Sequence, residues 1–321
     1  MLKNIISIVL CFLVIISCSN PISAENNKQE EDNNQNIIPP ATEEELIKYG
    51  VDISQDDADI TKQIEENLKL YFEEKGIYKV ILKGTAKSYY SQSNSLSFLI
   101  YTAAKNLYLN DIIIDISAIN FNDSSIKSYM FAEGIGSQED VIFTFIFPEN
   151  KITVIKSYAF HMLSSLRAIS IPNSVITIER DAFFQCSKLE KLTLGNSLKT
   201  IGDSAFINAF SLKELTIPNS VTTIEAGAFA YSGLASLTLP ASLVTIGDIA
   251  FSASSSLTTL TYLWKTPNDV TTVGKDIFVA CTKLTTLKVP NADDIKDSKW
   301  KTFLGYSFQT VTKWWFDILH Q

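Results

Sequence analysis

The chain predicts a repeat solenoid: a β-rich right-handed coil of about 23 residues per turn, with an N-terminal α/β cap and an irregular C-terminal cap. Three columns of residues carry this reading. Phenylalanine recurs at 160, 183, 206, 229, 251 and 278, in steps of 23, 23, 23, 22 and 27. Leucine recurs at 166, 189, 212, 234, 257 and 284, with the same steps except that the 22 falls one interval earlier. Ile155, Ile178, Ile201, Ile224, Ile246 and Val273 form the third column. A period of this size marks stacked supersecondary units, none of which buries its apolar side alone.

Each unit opens with Leu-x-x-Leu-x-Ile/Leu, as in Leu212, Leu215 and Ile217. The alternation places apolar side chains on one face of a short strand. Pro172, Pro218, Pro240 and Pro290 end the strand, because proline cannot donate to a ladder. Asn173, Asn196 and Asn219 suit the following turn, since Asn tolerates left-handed geometry and bonds locally to backbone. Val-x-x-Ile then leads to Ala-Phe on the far side. The alanines (159, 182, 205, 228, 250) leave room for close backbone approach, and the rings should stack as an internal spine at roughly 4.8 Å per coil.

The segment LKELTIPNSVTTIEAGAFAYSGL resembles the unit LxxLxIPxSVxxIGxxAFxxCxxL of the BspA-like (Treponema-type) leucine-rich-repeat surface proteins, and the likeness runs from about Tyr158 to Pro290. The ninth position, which holds Asn or Cys in the commonest leucine-rich repeats, holds Ser here, as at Ser197 and Ser220. The resemblance implies a bacterial surface protein that binds host or bacterial partners.

The flanks differ in pattern. Residues 1–18 carry Lys3, an apolar run from Ile5 to Ile16, and then Ser17-Cys18. The run has the length of a secretory signal. Its end resembles a lipobox, with Cys18 as the lipidated residue and membrane anchor; a plain signal cut after Ala24 is the alternative. Residues 19–45 are polar and read as a disordered tether. Residues 46–150 read as the N-terminal cap with degenerate first coils. Within them Asp56–Lys75 is an amphipathic helix presenting Ile60, Ile64, Leu68 and Phe72, with Gly76 as its stop. Strands are expected from Tyr78 and Asp111, and a second helix over Leu96–Leu107. Residues 151–290 form the solenoid and 291–321 the C-terminal cap, with Trp300, Phe303, Trp314 and Trp315 covering the last coil.

A net charge of −8 without a Lys/Arg cluster excludes nucleic acid as a partner. Two histidines, His161 and His320, leave little for metal or acid–base chemistry. No nucleophile–base constellation, CxxC, P-loop or zinc spacing is visible, so the expectation is a binding protein without cofactor rather than an enzyme. Strand positions between the core residues form a broad hydroxyl-rich face. Its candidate ligand-binding residues are Lys191, Thr193, Glu214, Thr216, Thr238, Thr261 and Lys288. Threonine is also simply a favoured strand residue. The 27-residue coil adds Trp264, either a binding anchor or part of the cap. Cys186 and Cys281 lie four coils apart, about 19 Å by strand spacing, too far for a disulfide, and are expected to be buried free thiols. The reading is a surface lipoprotein whose solenoid binds a host or bacterial protein or a glycan, in adhesion or host contact. The alternative is a periplasm-facing structural lipoprotein without external ligand.

Overall fold

The computed structural model describes residues 38–134 and 140–313. The signal segment, Cys18, most of the tether, Trp314, Trp315 and His320 lie outside the described residues. Helix Asp57–Lys75 is capped by Asp56, whose carboxylate accepts from the Asp59 amide, and ends at Gly76 with φ of 73°. Its buried stripe is Ile60, Ile64, Leu68 and Tyr71, whereas Phe72 is 41% exposed and stacks on Tyr78. The expected Phe72 contact fails because each step of four residues drifts about 40° around the helix. Three such steps carry position 72 off the face, and Tyr71 takes its place.

Helices Glu43–Tyr49, Asp57–Lys75 and Leu96–Asn106 accompany a parallel four-stranded sheet of Gly50–Asp52, Lys79–Thr85, Asp111–Asn120 and Ile142–Ile146, in that spatial order. Inside it lies an ion pair, Lys79 Nζ to Asp115 at 3.0 Å, with side chains 2% and 0% exposed. Both charges are satisfied further: Asp115 accepts from the amides of Ala41 and Ser117, and Lys79 donates to the Pro39 carbonyl. Residues 39–41 are thereby tied to the sheet. The stretch expected as tether to residue 45 is ordered at its end, because buried charges demand those partners and Glu43–Tyr49 is helical.

From Ser125 onward the chain winds into coils. Ser125–Ile126, Val154–Ile155, Thr177–Ile178, Thr200–Ile201, Thr223–Ile224, Thr245–Ile246 and Thr272–Val273 form one parallel seven-stranded sheet in register. Its isoleucines stack one above another with no exposure, while Val273 at the end is 46% exposed. The phenylalanine rings form a second column, all 0–1% exposed. Their centroids are 4.7, 4.9, 5.2, 5.5 and 5.7 Å apart from Phe160 to Phe278, within 15° of parallel. Phe131 extends the stack, 5.4 Å from Phe160. The 23-residue count missed it because 29 residues separate the two.

Left-handed backbone is found at neither Asn173, Asn196 nor Asn219. It falls two residues before and two after each spine ring: Tyr158 and Met162, Asp181 and Gln185, Ser204 and Asn208, Gly227 and Tyr231, Ile249 and Ala253, Asp276 and Ala280. Such residues cost about 1–2 kcal/mol each when not glycine. The compensation is visible in the hydrogen bonds. Asp181, Phe183 and Gln185 donate to Asp203, Ala205 and Ile207 of the next coil, at 2.8–2.9 Å. The same triplet recurs at 158/160/162, 204/206/208 and 227/229/231. Each left-handed residue turns its amide along the solenoid axis.

The turn serines form only a partial ladder, since the Ser220 hydroxyl is buried without a hydrogen-bond partner. Ser174 and Ser242 hydroxyls each donate at 2.7 Å to a carbonyl of the preceding coil, Ile152 and Val221. At the C-terminal end, Trp300 is fully buried and donates from Nε1 to the Asp294 carbonyl, and strand Thr310–Thr312 pairs with Thr286–Lys288.

Two outcomes follow for stability. Phe206→Ala, in mid-spine, should lower unfolding free energy by about 3–5 kcal/mol in a urea titration, against about 0.5 kcal/mol or less for exposed Val244→Ala. Asp115→Ala should cost about 3–5 kcal/mol by orphaning Lys79, and the double variant Lys79→Met/Asp115→Leu should recover most of that loss.

Candidate functional site: an opening in the strand face

The third side of the solenoid carries the candidate binding residues. Ala168–Ser170 pairs with Lys191–Thr193, with Glu190 and Lys191 amides donating to the Arg167 carbonyl. Ser236–Leu239, Thr259–Tyr262, Thr286–Lys288 and Thr310–Thr312 form a separate four-stranded sheet. Residues 214–216 join that second group only through the bridge of Thr216 to Thr238. Among the described residues, no strand pairing or hydrogen bond links 190–194 to 213–217. The face is therefore split between its second and third rungs. The split is local, because the Ser211 amide reaches Ser187 at 3.2 Å before it and the Thr222 amide reaches Lys199 at 3.0 Å after it.

An open cavity of about 630 Å³ occupies this split. Four of the candidate residues, Lys191, Thr193, Glu214 and Thr216, line it and are exposed. Its floor is Leu192, Leu194 and Leu215, at 7, 6 and 7% exposure, whereas Leu237, Leu260 and Leu287 under the closed sheet show 1, 0 and 0%. Thr238, Thr261 and Lys288 stand apart from the cavity, half-buried and in register on successive strands. Trp264 is half-buried, 4.8 Å from the ring of fully buried Tyr262, which itself packs on Trp300 and Phe303. Trp264 thus packs one part of its ring on the C-terminal cluster and leaves the rest open.

Beside the split lies Gly195, which stands where Pro172, Pro218 and Pro240 occupy neighbouring coils. A Cβ on Gly195 would lie 2.3 Å from the Pro172 carbonyl oxygen and 2.9 Å from the Asn173 Cα. Only glycine permits that approach. The Asn196 amide adds a bond to the Asn173 side chain at 2.9 Å. This end of the rung is thereby held close to the coil before it.

Charge concentrates at the same place. Glu190 and Lys191 on one lip stand one repeat from Lys213 and Glu214 on the other, so opposite charges occupy equivalent positions, and the Lys213 ammonium donates to the Phe210 carbonyl of its own coil at 3.3 Å. Among the described residues, no ion pair joins these four. A second feature, also unread in the sequence, is an aromatic strip elsewhere on the surface. Tyr129 stacks on Tyr158 at 5.1 Å and His161 on Phe184 at 5.0 Å. Burial pushes the His161 pKa down, and its Nδ1 has no hydrogen-bond partner. These rings spend their faces on one another, which leaves edges rather than platforms for a ligand.

Cys186 and Cys281 are free and buried. Both thiols contact the carbonyl of the preceding spine phenylalanine at 3.2 Å, Phe160 and Phe251, so they act as weak donors as well as small apolar groups. Burial raises both thiol pKa values, that of Cys281 to about 11. In a Cys11→Ala/Cys18→Ala background, neither thiol should react with a chromogenic disulfide reagent in the native protein at neutral pH, and both should react on unfolding. Among the described residues, no cluster of three or more His, Cys, Asp or Glu is placed to hold a metal, and no helix is long and apolar enough to cross a membrane.

Comparison with known proteins bears on the whole solenoid. No curated protein matches the chain. Solved structures similar to it include a leucine-rich cell surface protein from Faecalibacterium prausnitzii, 23% identical with a TM-score of 0.43, covering 64% of this chain and 57% of that one. Another, from Bacteroides ovatus, is a leucine-rich repeat protein, 17% identical with a TM-score of 0.39, covering 64% and 60%. The T. pallidum leucine-rich repeat protein is 24% identical with a TM-score of 0.41, covering 61% and 89%. The chain thus spans less than two thirds of the first two structures. The model of the BspA-type leucine-rich repeat region matches in six copies over residues 125–258 and 258–313. With repeats matched over more than half its length and wound into stacked parallel rungs, the chain belongs to the BspA-type leucine-rich-repeat family.

Proposed function

We propose that this chain is an exported lipoprotein, anchored to the bacterial membrane through Cys18, whose strand face binds a surface protein or glycan of host or bacterium. The observation that carries the reading is the opening on that face, where Lys191, Thr193, Glu214 and Thr216 converge over a leucine floor. A concave site with an apolar base and a few polar groups at its rim is what a binding surface requires. Membership of a repeat family whose proteins are typically bacterial surface or exported proteins supports the exported location, as does the sequence Ile15-Ile16-Ser17-Cys18. Several acyl chains on one cysteine would hold the protein without a membrane-spanning helix. Adhesion or host contact is the role that fits an outward-facing solenoid on a tether.

The test uses intact cells. Palmitate labelling should be lost in Cys18→Ala, with the protein released to the soluble fraction. Added protease should degrade the wild-type protein on whole cells. Cells lacking the gene should bind less to immobilised matrix proteins. A chain that survives protease on intact cells, with unchanged cell binding on deletion, would assign it instead to a structural role facing the periplasm.

A further inference from the structure

We propose that the opening between residues 190–194 and 213–217 seats an extended polypeptide segment of another protein, held by main-chain hydrogen bonds from both lips and by a lysine and a glutamate on each. The inference rests on the reading of the strand face as a binding surface, and adds the chemical class of the partner and its place.

Main-chain groups at the lips are open. The Thr193 carbonyl accepts from the Ile171 amide, so residue 193 points toward the preceding coil. Alternation along a strand therefore aims the N–H and C=O of Leu192 into the opening. On the other lip the Lys213 carbonyl accepts from the Ala235 amide of the following coil. The same alternation aims the groups of Glu214 and Thr216 into the opening from that side. An extended peptide presents matching donors and acceptors at strand spacing, which is how peptides add to sheets.

The side chains favour a peptide over a sugar. Sugar rings are held largely on aromatic faces, and the lining of the cavity contains no aromatic residue. It contains instead Glu190 and Lys191 on one lip and Lys213 and Glu214 at the equivalent positions of the other. In a closed parallel sheet these pairs would sit about 4.8 Å apart and neutralise each other. Held apart, they suit a segment that brings both an acidic and a basic side chain. The exposed edges of Leu192, Leu194 and Leu215 offer an apolar seat below. Other rungs of the face carry Ser, Thr or Ala at most of these positions, so the recognition chemistry is confined to the one place where the sheet is open.

The test is a selection of a random-peptide display library on the full chain in detergent, followed by binding measurements with the enriched synthetic peptides. The peptides should carry both charge signs, and their affinity should fall by about tenfold or more in Lys191→Glu/Lys213→Glu. Amide hydrogen exchange on the complex should slow at Leu192, Glu214 and Thr216. A disulfide across the lips, Thr193→Cys/Thr216→Cys, should abolish binding until reduced. The matched disulfide in the closed sheet, Thr238→Cys/Thr261→Cys, should leave it intact and serves as the control for folding. Peptides indifferent to the charge reversal and the cross-lip disulfide, with protection over Thr238–Lys288, would overturn the inference while leaving the face as a binding surface. Failure to enrich any peptide, together with binding of glycans to an array, would overturn the peptide class. No binding of either kind would remove the inference and the reading beneath it together.

Discussion

The structure depends on one backbone constraint: every coil must aim three amides along the solenoid axis around a single phenylalanine. Two left-handed residues achieve this, one on each side of the ring. An ordinary strand sends alternate amides to opposite neighbours, and a helix sends them to itself. Here Asp181, Phe183 and Gln185 all donate the same way, to one coil. The conformational strain is offset only if another coil stands there to accept. That condition makes the fold cooperative between neighbours and leaves a lone coil with no stable form. The ring between the two kinks falls automatically above the next ring, which is why its identity repeats more strictly than that of any surface position.

A stack of this kind needs a different contact at each end, and it has one. Phe145 meets both Phe131 and Phe160 edge-on, at 5.1 and 5.3 Å. Tyr306 meets Phe278 edge-on at 6.0 Å, while its hydroxyl donates to the carbonyls of Cys281 and Leu284. Turning a ring by a right angle halts the column without leaving an apolar face open, since an aromatic edge is attracted to an aromatic face. The single Tyr306 hydroxyl proton is shared between those two carbonyls and ties the ring to the last coil.

Periodicity made the coils legible, because each must fit the next and so repeats its core residues. The strand face, the second sheet and the free cysteines followed from the same columns. What could not be seen follows from departures too small for a pattern. Tyr71 replaces Phe72 in the first long helix because of angular drift, and both residues are aromatic. The left-handed sites carry Tyr, Met, Asp, Gln, Ser, Asn, Ile and Ala, and Gly only at 227, so no residue preference announces them. Asparagine, the expected marker, takes other work, as where Asn173 holds the Asn196 amide. The opening in the face interrupts a run whose apolar columns, at Leu192 and Leu215, continue across it unchanged.

The spacing of the rings has a direction. It grows at every step from 4.7 Å between Phe160 and Phe183 to 5.7 Å between Phe251 and Phe278. Dispersion falls steeply over such an interval, and the isoleucine column ends in a half-exposed valine at the same end. Between Phe160 and Phe278 the column is therefore graded, closest at the Phe160 end and loosest at the Phe278 end. Pulled from both termini, this run would pay out first at the Phe278 end, and the closely stacked rings at Phe160 and Phe183 would part last.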